Sequence, residues 1–432
     1  MSPEIVGLIA IAVLIASLFA GMWIGLAMAL LGFLGFAYLG GINAALGIMA
    51  TVPYTTIATY GVAVVPLFLL MGNVASNTGI SGDLYKTGHT WMGHLPGGLA
   101  MGTIGACAGF AAICGSSIAA AATMSKVVLP EMEKYKYDPK LATGSVAAGG
   151  TLGILIPPSL GFIVYGLLTQ ESIGKLFMAG VFPGVLLVAL FIIQIFLLSR
   201  RNPHLAPPGP KTTFVKKLAS LRFTWAMLLL FILVMGGIYT GLFTPSEAGA
   251  IGAFGSIVIT FISRKLNKRN LLAAILDTGQ TTAMVFLLLV GAMIFMRFLS
   301  ITKLPFTVAD FVSQLAFPPY LLLALIVVIF IIIGMFMEIL ASMALTLPII
   351  FPVILAVGFD PIWFGVIMVV VCEMGLITPP VGMNIFIIAG VSNVPAGTIF
   401  RGAAPFVFTM LICVVILTIF PQIALYLPNM MR

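Results

Sequence analysis

Charged residues are scarce in this sequence, at 7% of 432 residues, whereas hydrophobic residues make up 61%. A water-soluble fold of this composition would lack the polar surface that covers a soluble protein. Apolar stretches close to the roughly 20 residues of a membrane-spanning helix recur at 3–20, 57–74, 176–198, 223–239 and 406–427. The sequence therefore predicts an all-α polytopic membrane protein whose solvent is a lipid bilayer.

Cysteine and histidine are also rare. The cysteines lie in apolar segments without the CxxC spacing of a zinc site: Cys107, Cys114, Cys372 and Cys413. All three histidines are predicted to lie in loops: His89, His94 and His204. Because no nucleophile–base pair, phosphate-binding loop or transition-metal ligand set emerges, we expect neither an enzyme nor a transition-metal site.

Acidic residues are outnumbered, 12 Asp and Glu against 20 Lys and Arg, and half of the basic residues lie between Arg200 and Arg269. In a membrane protein such clusters mark cytoplasmic loops, so no nucleic-acid partner is predicted. With segment 200–222 in the cytoplasm, 16 basic residues lie inside, and four lie outside: Lys175, Arg297, Lys303 and Arg432. This orientation leaves both termini outside.

The chain repeats itself at an offset of 222 residues, which pairs Pro157-Pro158 with Pro379-Pro380. The same offset pairs Asp138-Pro139 with Asp360-Pro361, and Gly153 with Gly375, without a gap. The halves are therefore 1–199 and 223–432, joined by a basic, proline-rich linker at 200–222.

Each half is predicted to contain a re-entrant helical hairpin, at about 97–134 and 318–357, and a helix broken at the proline pair, at about 141–171 and 362–392. The hairpin does not cross the membrane, and the broken helix together with four further helices gives five crossings per half. Because five is odd, the second half enters the membrane from the opposite side. The repeats are therefore predicted to be inverted, as in many secondary transporters.

The two helix breaks are the expected functional sites. Irregular backbone at membrane depth is tolerated only where it is buried in protein or lines a wet cavity. Proline removes amide donors, and the carbonyl groups that it frees can coordinate a bare cation. Two breaks at matched positions predict two cation sites, whereas a single break would more often be a simple kink.

The hairpin tips carry the remaining candidates. Ser116 and Ser117, among small residues, offer hydroxyl groups and helix N-terminal amides to an ion or anion, although tight helix packing is an alternative. Glu338 lies in the second tip, where a buried charge costs about 3 kcal/mol. A sodium ion, a substrate hydroxyl or a basic partner would compensate it.

Three further charged residues are considered as candidates for the site. Arg297 is expected either to receive a substrate carboxylate or to reach the outer membrane interface as a structural cation. Glu373, just before the second break, is a weaker candidate. Asp277 lies near a helix end, where solvation alone explains it.

Four stretches together resemble the large membrane (M) subunit of TRAP (tripartite ATP-independent periplasmic) transporters: GSSIAAAAT (115–123), LGILIPPS (152–159), GIYTGLFTPSEAGAIG (237–252) and MGLITPPVGMN (374–384). The resemblance covers the whole chain. It implies an elevator-type fold of the ion-transporter superfamily, in which a transport domain of hairpins and broken helices moves beside a scaffold. It also implies a multi-pass protein of the bacterial inner membrane, in which the orientation predicted from the basic residues places both termini in the periplasm.

The same resemblance implies sodium-coupled import of a small organic acid, such as sialic acid or a C4-dicarboxylate. The acid would be delivered by a periplasmic substrate-binding protein (P type), and a small four-helix membrane subunit (Q type) would be a separate polypeptide. Proton coupling through Glu338 or Glu373, and a passive channel, remain alternatives from the sequence.

Carried over position by position, the resemblance assigns Na+ as the coupling ion. The residues implied for the first sodium site are Ser116, Ser117, Gly150, Gly153 and Pro157. Those implied for the second are Glu338, Ser342, Gly375, Thr378 and Pro380. Substrate is expected between the tips, at Ser117, Ser159, Arg297, Glu338 and Asn384. Relatives more often carry Asp at position 338, so the longer Glu338 is expected to alter substrate choice.

Overall fold

The structure is a computed structural model that describes residues 1–209, 211–314 and 318–431. Its described part consists of α-helices, short 3-10 turns and loops. Arg432, counted among the outer basic residues above, lies outside the described residues. The helices of the first half and the linker are α1 (Pro3–Phe19), α2 (Ile24–Gly40), α3 (Ile42–Ile57), α4 (Val64–Asn77), α5 (Ile80–Met92), α6 (Gly98–Cys114), α7 (Ser117–Lys134), α8 (Pro139–Leu155), α9 (Leu160–Thr169), α10 (Ile173–Arg201) and α11 (Phe214–Ser220).

The second half continues the helical chain. Its helices are α12 (Trp225–Tyr239), α13 (Pro245–Ile262), α14 (Lys268–Thr302), α15 (Leu304–Gln314), α16 (Pro319–Phe336), α17 (Ile339–Val357), α18 (Pro361–Gly375), α19 (Met383–Ser392), α20 (Ala396–Ile419) and α21 (Gln422–Met430). Among the described helices, seven are long and apolar enough to cross a membrane, or eight if α8 and α9, bent by 40° at their break, count as one. The prediction of an all-α polytopic membrane protein is confirmed.

The helix order α6 to α10 recurs as α16 to α20, and matching helices begin 221 to 223 residues apart. Local chemistry explains the shared starts. Asp138 accepts a hydrogen bond from the Lys140 amide at 2.7 Å before α8, and Asp360 accepts one from the Trp363 amide at 2.9 Å before α18. Each Asp caps a helix whose first residue is proline, a residue that suits this position. The inverted orientation of the halves in the membrane stays a prediction.

One expectation about the first half is wrong: His89 lies in helix α5, not in a loop. This 13-residue helix has no continuous apolar run, which is why the sequence reads as a loop. Its buried residues, Ile80, Leu84 and Tyr85, nevertheless recur at helical spacing and pack on the core. Burial lowers the pKa of His89 more than the nearby Glu131 raises it.

Glycine contacts bring the two halves together. A Cβ atom added at Gly25 in α2 would lie 2.7 Å from the Leu287 carbonyl oxygen of α14, and one at Gly32 would lie 2.9 Å from the Phe295 Cα. Close backbone approach through small residues is typical of membrane helix packing. Elsewhere α8 packs on α20, while the two hairpins pack on the broken helices. The hairpin tips therefore meet the helix breaks inside one cluster.

Candidate ion and substrate site

The first hairpin tip lies directly on the first helix break. Helix α6 ends at Gly115, whose φ of +62° is the left-handed conformation that suits glycine. Ser116 then begins α7, since its Oγ accepts a hydrogen bond from the Ala119 amide at 3.4 Å. The Leu160 amide, just after the break, donates to the Gly115 carbonyl at 3.4 Å. Tip and break are therefore joined through their backbones.

Small residues make this approach fit. A Cβ atom at Gly153 would lie 2.7 Å from the Ser116 carbonyl oxygen, and one at Gly150 would lie 3.0 Å from the Ala121 Cβ. Pro157 is buried within the break. Ser159 ends the break by capping α9, where its Oγ accepts from the Phe162 amide at 3.3 Å. The structure thus brings the residues predicted for the first sodium site together with Ser159.

The second tip repeats this arrangement with different residues. The Gly382 amide, just after the second break, donates to the Met335 carbonyl near the end of α16 at 3.1 Å. A Cβ atom at Gly375 would lie 2.7 Å from the Gly334 Cα. The Thr378 hydroxyl donates to the Met374 carbonyl at 2.6 Å, so its oxygen keeps lone pairs for a further partner.

Glu338 occupies the position just before α17, but its side chain does not cap that helix. Glu338 is half-buried and lines a cavity of about 190 Å³ between the second tip and helices α2 and α14. Trp23, Met284 and Leu288 form much of the opposite wall. No basic side chain of the described residues lines this cavity. Ser342 is fully buried one turn further on, where its hydroxyl donates to the Glu338 carbonyl at 3.1 Å.

A hydrogen bond between the two halves links the clusters: the Ser117 hydroxyl donates to Oε1 of Glu373. Glu373 is 0% exposed, and its Oε2 atom is buried without a hydrogen-bond partner. Asn384, across the second break, is also 0% exposed, and both polar atoms of its side chain lack partners. Since buried polar groups are nearly always satisfied, these atoms are suited to a ligand or water.

Comparison with known proteins shows which family this chain belongs to. A family model described as "Tripartite ATP-independent periplasmic transporter, DctM component" matches residues 11–423. The chain belongs to this TRAP transporter family. It is therefore a multi-pass membrane protein, the large permease subunit of a transporter rather than an enzyme.

Relatives of this TRAP subunit span most of its length. It is 37% identical over 377 residues to the C4-dicarboxylate TRAP transporter large permease protein DctM of Pseudomonas aeruginosa, covering 87% of this chain and 88% of that protein. It is 32% identical over 417 residues to the sialic acid TRAP transporter large permease protein SiaM of Vibrio cholerae, covering 96% of each. The isethionate TRAP transporter permease protein DctMQ of Oleidesulfovibrio alaskensis is 34% identical over 444 residues, or 98% of this chain and 70% of that protein.

Solved structures share the fold. The Alcanivorax borkumensis YdaH transporter superposes with a TM-score of 0.70 at 16% identity, covering 94% of this chain and 99% of that chain. Neisseria gonorrhoeae MtrF superposes with a TM-score of 0.62 at 14% identity, covering 99% and 95%. At such low identity these likenesses concern the fold alone.

Two predicted site residues of the TRAP subunit lie apart from the buried cluster. Arg297 is exposed on α14, and the ion pairs of the described residues, Lys134–Glu131 and Lys265–Asp83, do not include it. Pro380 is exposed beside the second break. Their roles stay predictions. Asp277 is exposed and accepts a hydrogen bond from Asn77 at 3.1 Å, which agrees with a solvated position.

Glu373 is the residue whose importance the sequence understates. The sequence feature that points to Glu373 is its position, two residues before Gly375 at the start of the second break. The matched residue of the first half, 222 positions earlier, is Thr151, whose hydroxyl donates to its own helix at 2.6 Å. The repeat therefore gives no hint of a carboxylate there. Its partner Ser117 lies 256 residues away, a distance that local patterns do not bridge.

Proposed function

We propose that this subunit imports a small organic acid in symport with sodium ions. The names of its relatives, which include a C4-dicarboxylate and a sialic acid permease, support a carboxylate as substrate. The acid is delivered by a periplasmic substrate-binding protein, and a small four-helix membrane subunit completes the complex. The complex lies in the bacterial inner membrane, with the termini periplasmic and the linker 200–222 cytoplasmic.

The observation that carries the proposal is the buried oxygen-rich cluster between the two tips. The free Oε2 of Glu373 and the unpartnered side chain of Asn384 are fully buried beside Ser117 and the second break. No lysine or arginine of the described residues pairs with Glu373. Carbonyl, hydroxyl and carboxylate oxygens suit a hard cation, and unwound helices are where transporters place such ions.

The roles of the predicted sodium-site residues follow from their positions. Around the first break, Ser116 and Ser117 supply hydroxyl oxygens, and Gly150, Gly153 and Pro157 shape the backbone. Around the second, Glu338, Ser342 and Thr378 supply side-chain oxygens, while Gly375 and Pro380 shape the break. The substrate lies between the tips, where Ser117, Ser159, Asn384 and Glu338 contact it and Arg297 approaches from the outer side.

An elevator mechanism is supported by the interface that Glu338 faces. The hairpins and broken helices pack on one another, and the second tip meets α2 and α14 across a largely apolar cavity. An apolar contact without ion pairs lets one body move past another without breaking strong directional bonds. We assign α6 to α9 and α16 to α19 to the transport domain, and α2 and α14 to the scaffold.

Uptake into proteoliposomes tests the proposal. The vesicles hold this subunit with its small partner, and a labelled carboxylate panel is added with the cognate binding protein. We expect uptake only when an inward sodium gradient and the binding protein are both present. Uptake driven by a proton gradient without sodium, or uptake that runs equally without any gradient, would overturn sodium symport.

A further inference from the structure

The linker between the halves carries a short helix that combines positive charge with exposed apolar side chains. Segment 200–222 contains six basic residues and no acidic one. In α11, Phe214 is 71% exposed, Val215 76% and Leu218 59%, and Trp225 shortly after is 59% exposed. Lysine-rich helices with an apolar face, followed by tryptophan, are typical of the membrane interface.

The helix is fixed in place by hydrogen bonds to α5. The Thr212 hydroxyl donates to the Thr90 carbonyl at 2.9 Å just before α11 begins. Trp91 donates through its indole nitrogen to the Lys217 carbonyl at 3.1 Å, and Thr87 donates to the Ser220 carbonyl at 3.1 Å. A surface held at both ends in this way is preformed, so a ligand does not have to order it on binding.

Between α11 and α5 lies an open cavity of about 290 Å³ whose charged side chains are both cationic. It is lined by Thr90, Thr212, Lys216, Ala219, Ser220 and Arg222. Lysine and arginine suit the oxygens of a phosphate group. The hydroxyl groups of the cavity, those of Thr90, Thr212 and Ser220, donate to backbone carbonyls, so the two cations are its donors. Arg222 also borders a second cavity of about 130 Å³, whose walls include Trp225, Ile259 and Ile262.

We propose that the cavity at Lys216 and Arg222 binds the phosphate of an anionic phospholipid of the cytoplasmic leaflet. The adjoining apolar walls and the exposed face of α11 accommodate the acyl chains, which a free phosphate ion lacks. The cytoplasmic leaflet is the anionic one, and basic pockets on that side recognise such headgroups. The inference uses the predicted orientation of the linker but not the coupling ion, so it can fail or succeed independently of sodium symport.

Native mass spectrometry of the purified membrane complex tests this inference with phosphatidylglycerol and phosphatidylethanolamine at equal concentration. The wild type should retain phosphatidylglycerol preferentially. A lost charge that contacts the headgroup is worth about fivefold in affinity. Lys216→Gln should therefore weaken retention by about that factor, and Lys216→Gln with Arg222→Gln by more. The single variant keeps the test valid where the double variant does not fold.

The matched control is Lys136→Gln with Lys140→Gln, which removes two exposed charges from the same predicted face away from the cavity. It should retain phosphatidylglycerol as the wild type does. Loss in the control equal to that in Lys216→Gln would show general charge attraction and overturn the site. A thermal stabilisation by inorganic phosphate as large as that by short-chain phosphatidylglycerol would show a free-anion site and overturn the lipid assignment.

Discussion

The hydrogen bond from Ser117 to Glu373 makes a sharp prediction about ion binding. Ser117→Ala removes the single hydrogen-bond donor that the structure records for a fully buried carboxylate. Leaving a buried acceptor unsatisfied costs about 1–3 kcal/mol, and on the proposed function this cost weakens the site that holds the ion. The expected effect is a rise of about 5- to 150-fold in the sodium concentration for half-maximal uptake.

Ser125→Ala is the matched control for this prediction. Ser125 lies on the same helix α7, is 1% exposed like Ser117, and donates to the Ala121 carbonyl at 2.6 Å within its own turn of helix. Its loss should leave the sodium dependence within about twofold of wild type, since its hydroxyl bonds to its own helix and not to Glu373, and sites without a shared partner act independently. Glu373→Gln keeps an acceptor for Ser117 and separates the loss of charge from the loss of the bond.

The assay is uptake into proteoliposomes as a function of sodium concentration, paired with the sodium-dependent rise in melting temperature of the purified complex. The second readout reports binding without transport. If Ser117→Ala and Ser125→Ala show the same sodium dependence as wild type in both readouts, Ser117 does not act on the ion site and the assignment is refuted.

Two further predictions concern stability. Gly153→Ala places a methyl group 2.7 Å from the Ser116 carbonyl oxygen, so we expect the free energy of unfolding to fall by about 1–3 kcal/mol. The control Gly105→Ala in α6 meets no atom within 4 Å and should be neutral or stabilising. Equal melting temperatures for the two variants would refute the close contact. Burial, and then the charge of Asp360, raise the pKa of Glu171. A carboxyl group whose pKa is raised in the folded state favours folding at pH values below its ordinary pKa and disfavours folding at pH values above its raised pKa. Glu171→Gln should therefore melt slightly higher than wild type at pH 7 and at the same temperature as wild type at pH 4. The difference at pH 7 is small because the side chain is partly exposed.

Local sequence signals predict where helices begin and end, because helix ends are set by a few neighbouring residues. Asp-Pro begins α8 and α18, Gly115 ends α6, and a Pro-Pro pair lies in the break after α8 and in the break after α18. Each of these residues acts through its own backbone dihedral angles or through a helix cap, so the helix end that it sets can be predicted without knowing the rest of the fold. The hairpin at 97–134, for example, contains two helices that turn at Gly115 and Ser116.

Local sequence signals do not predict contacts between residues that are distant in the sequence. The Ser117–Glu373 bond joins residues from different halves, and its partners follow from how α7 and α18 pack rather than from either sequence neighbourhood. The sequence predicts that Glu338 needs a compensating group, but its position at an apolar cavity beside α2 and α14 follows only from the packing of the helices. The sequence does not predict helix α5, because its short buried face gives too few turns for the helical period to show.

The repeat predicts the order of the helices, but the residues that differ between the two halves determine which matched positions hold a cavity and which are filled by side chains. On the predicted cytoplasmic side, a cavity of about 410 Å³ lies between α7, the start of α8 and the end of α19, and Leu129 and Ala142 are among its lining residues. The residues 222 positions later are Phe351 and Phe364. There the Tyr165 ring packs 6.3 Å from the Phe351 ring, and its hydroxyl donates to the Pro361 carbonyl at 2.6 Å. Because close-packed aromatic rings leave no room for water, the position beside Phe351 is filled in the second half, whereas the matched position beside Leu129 is open in the first.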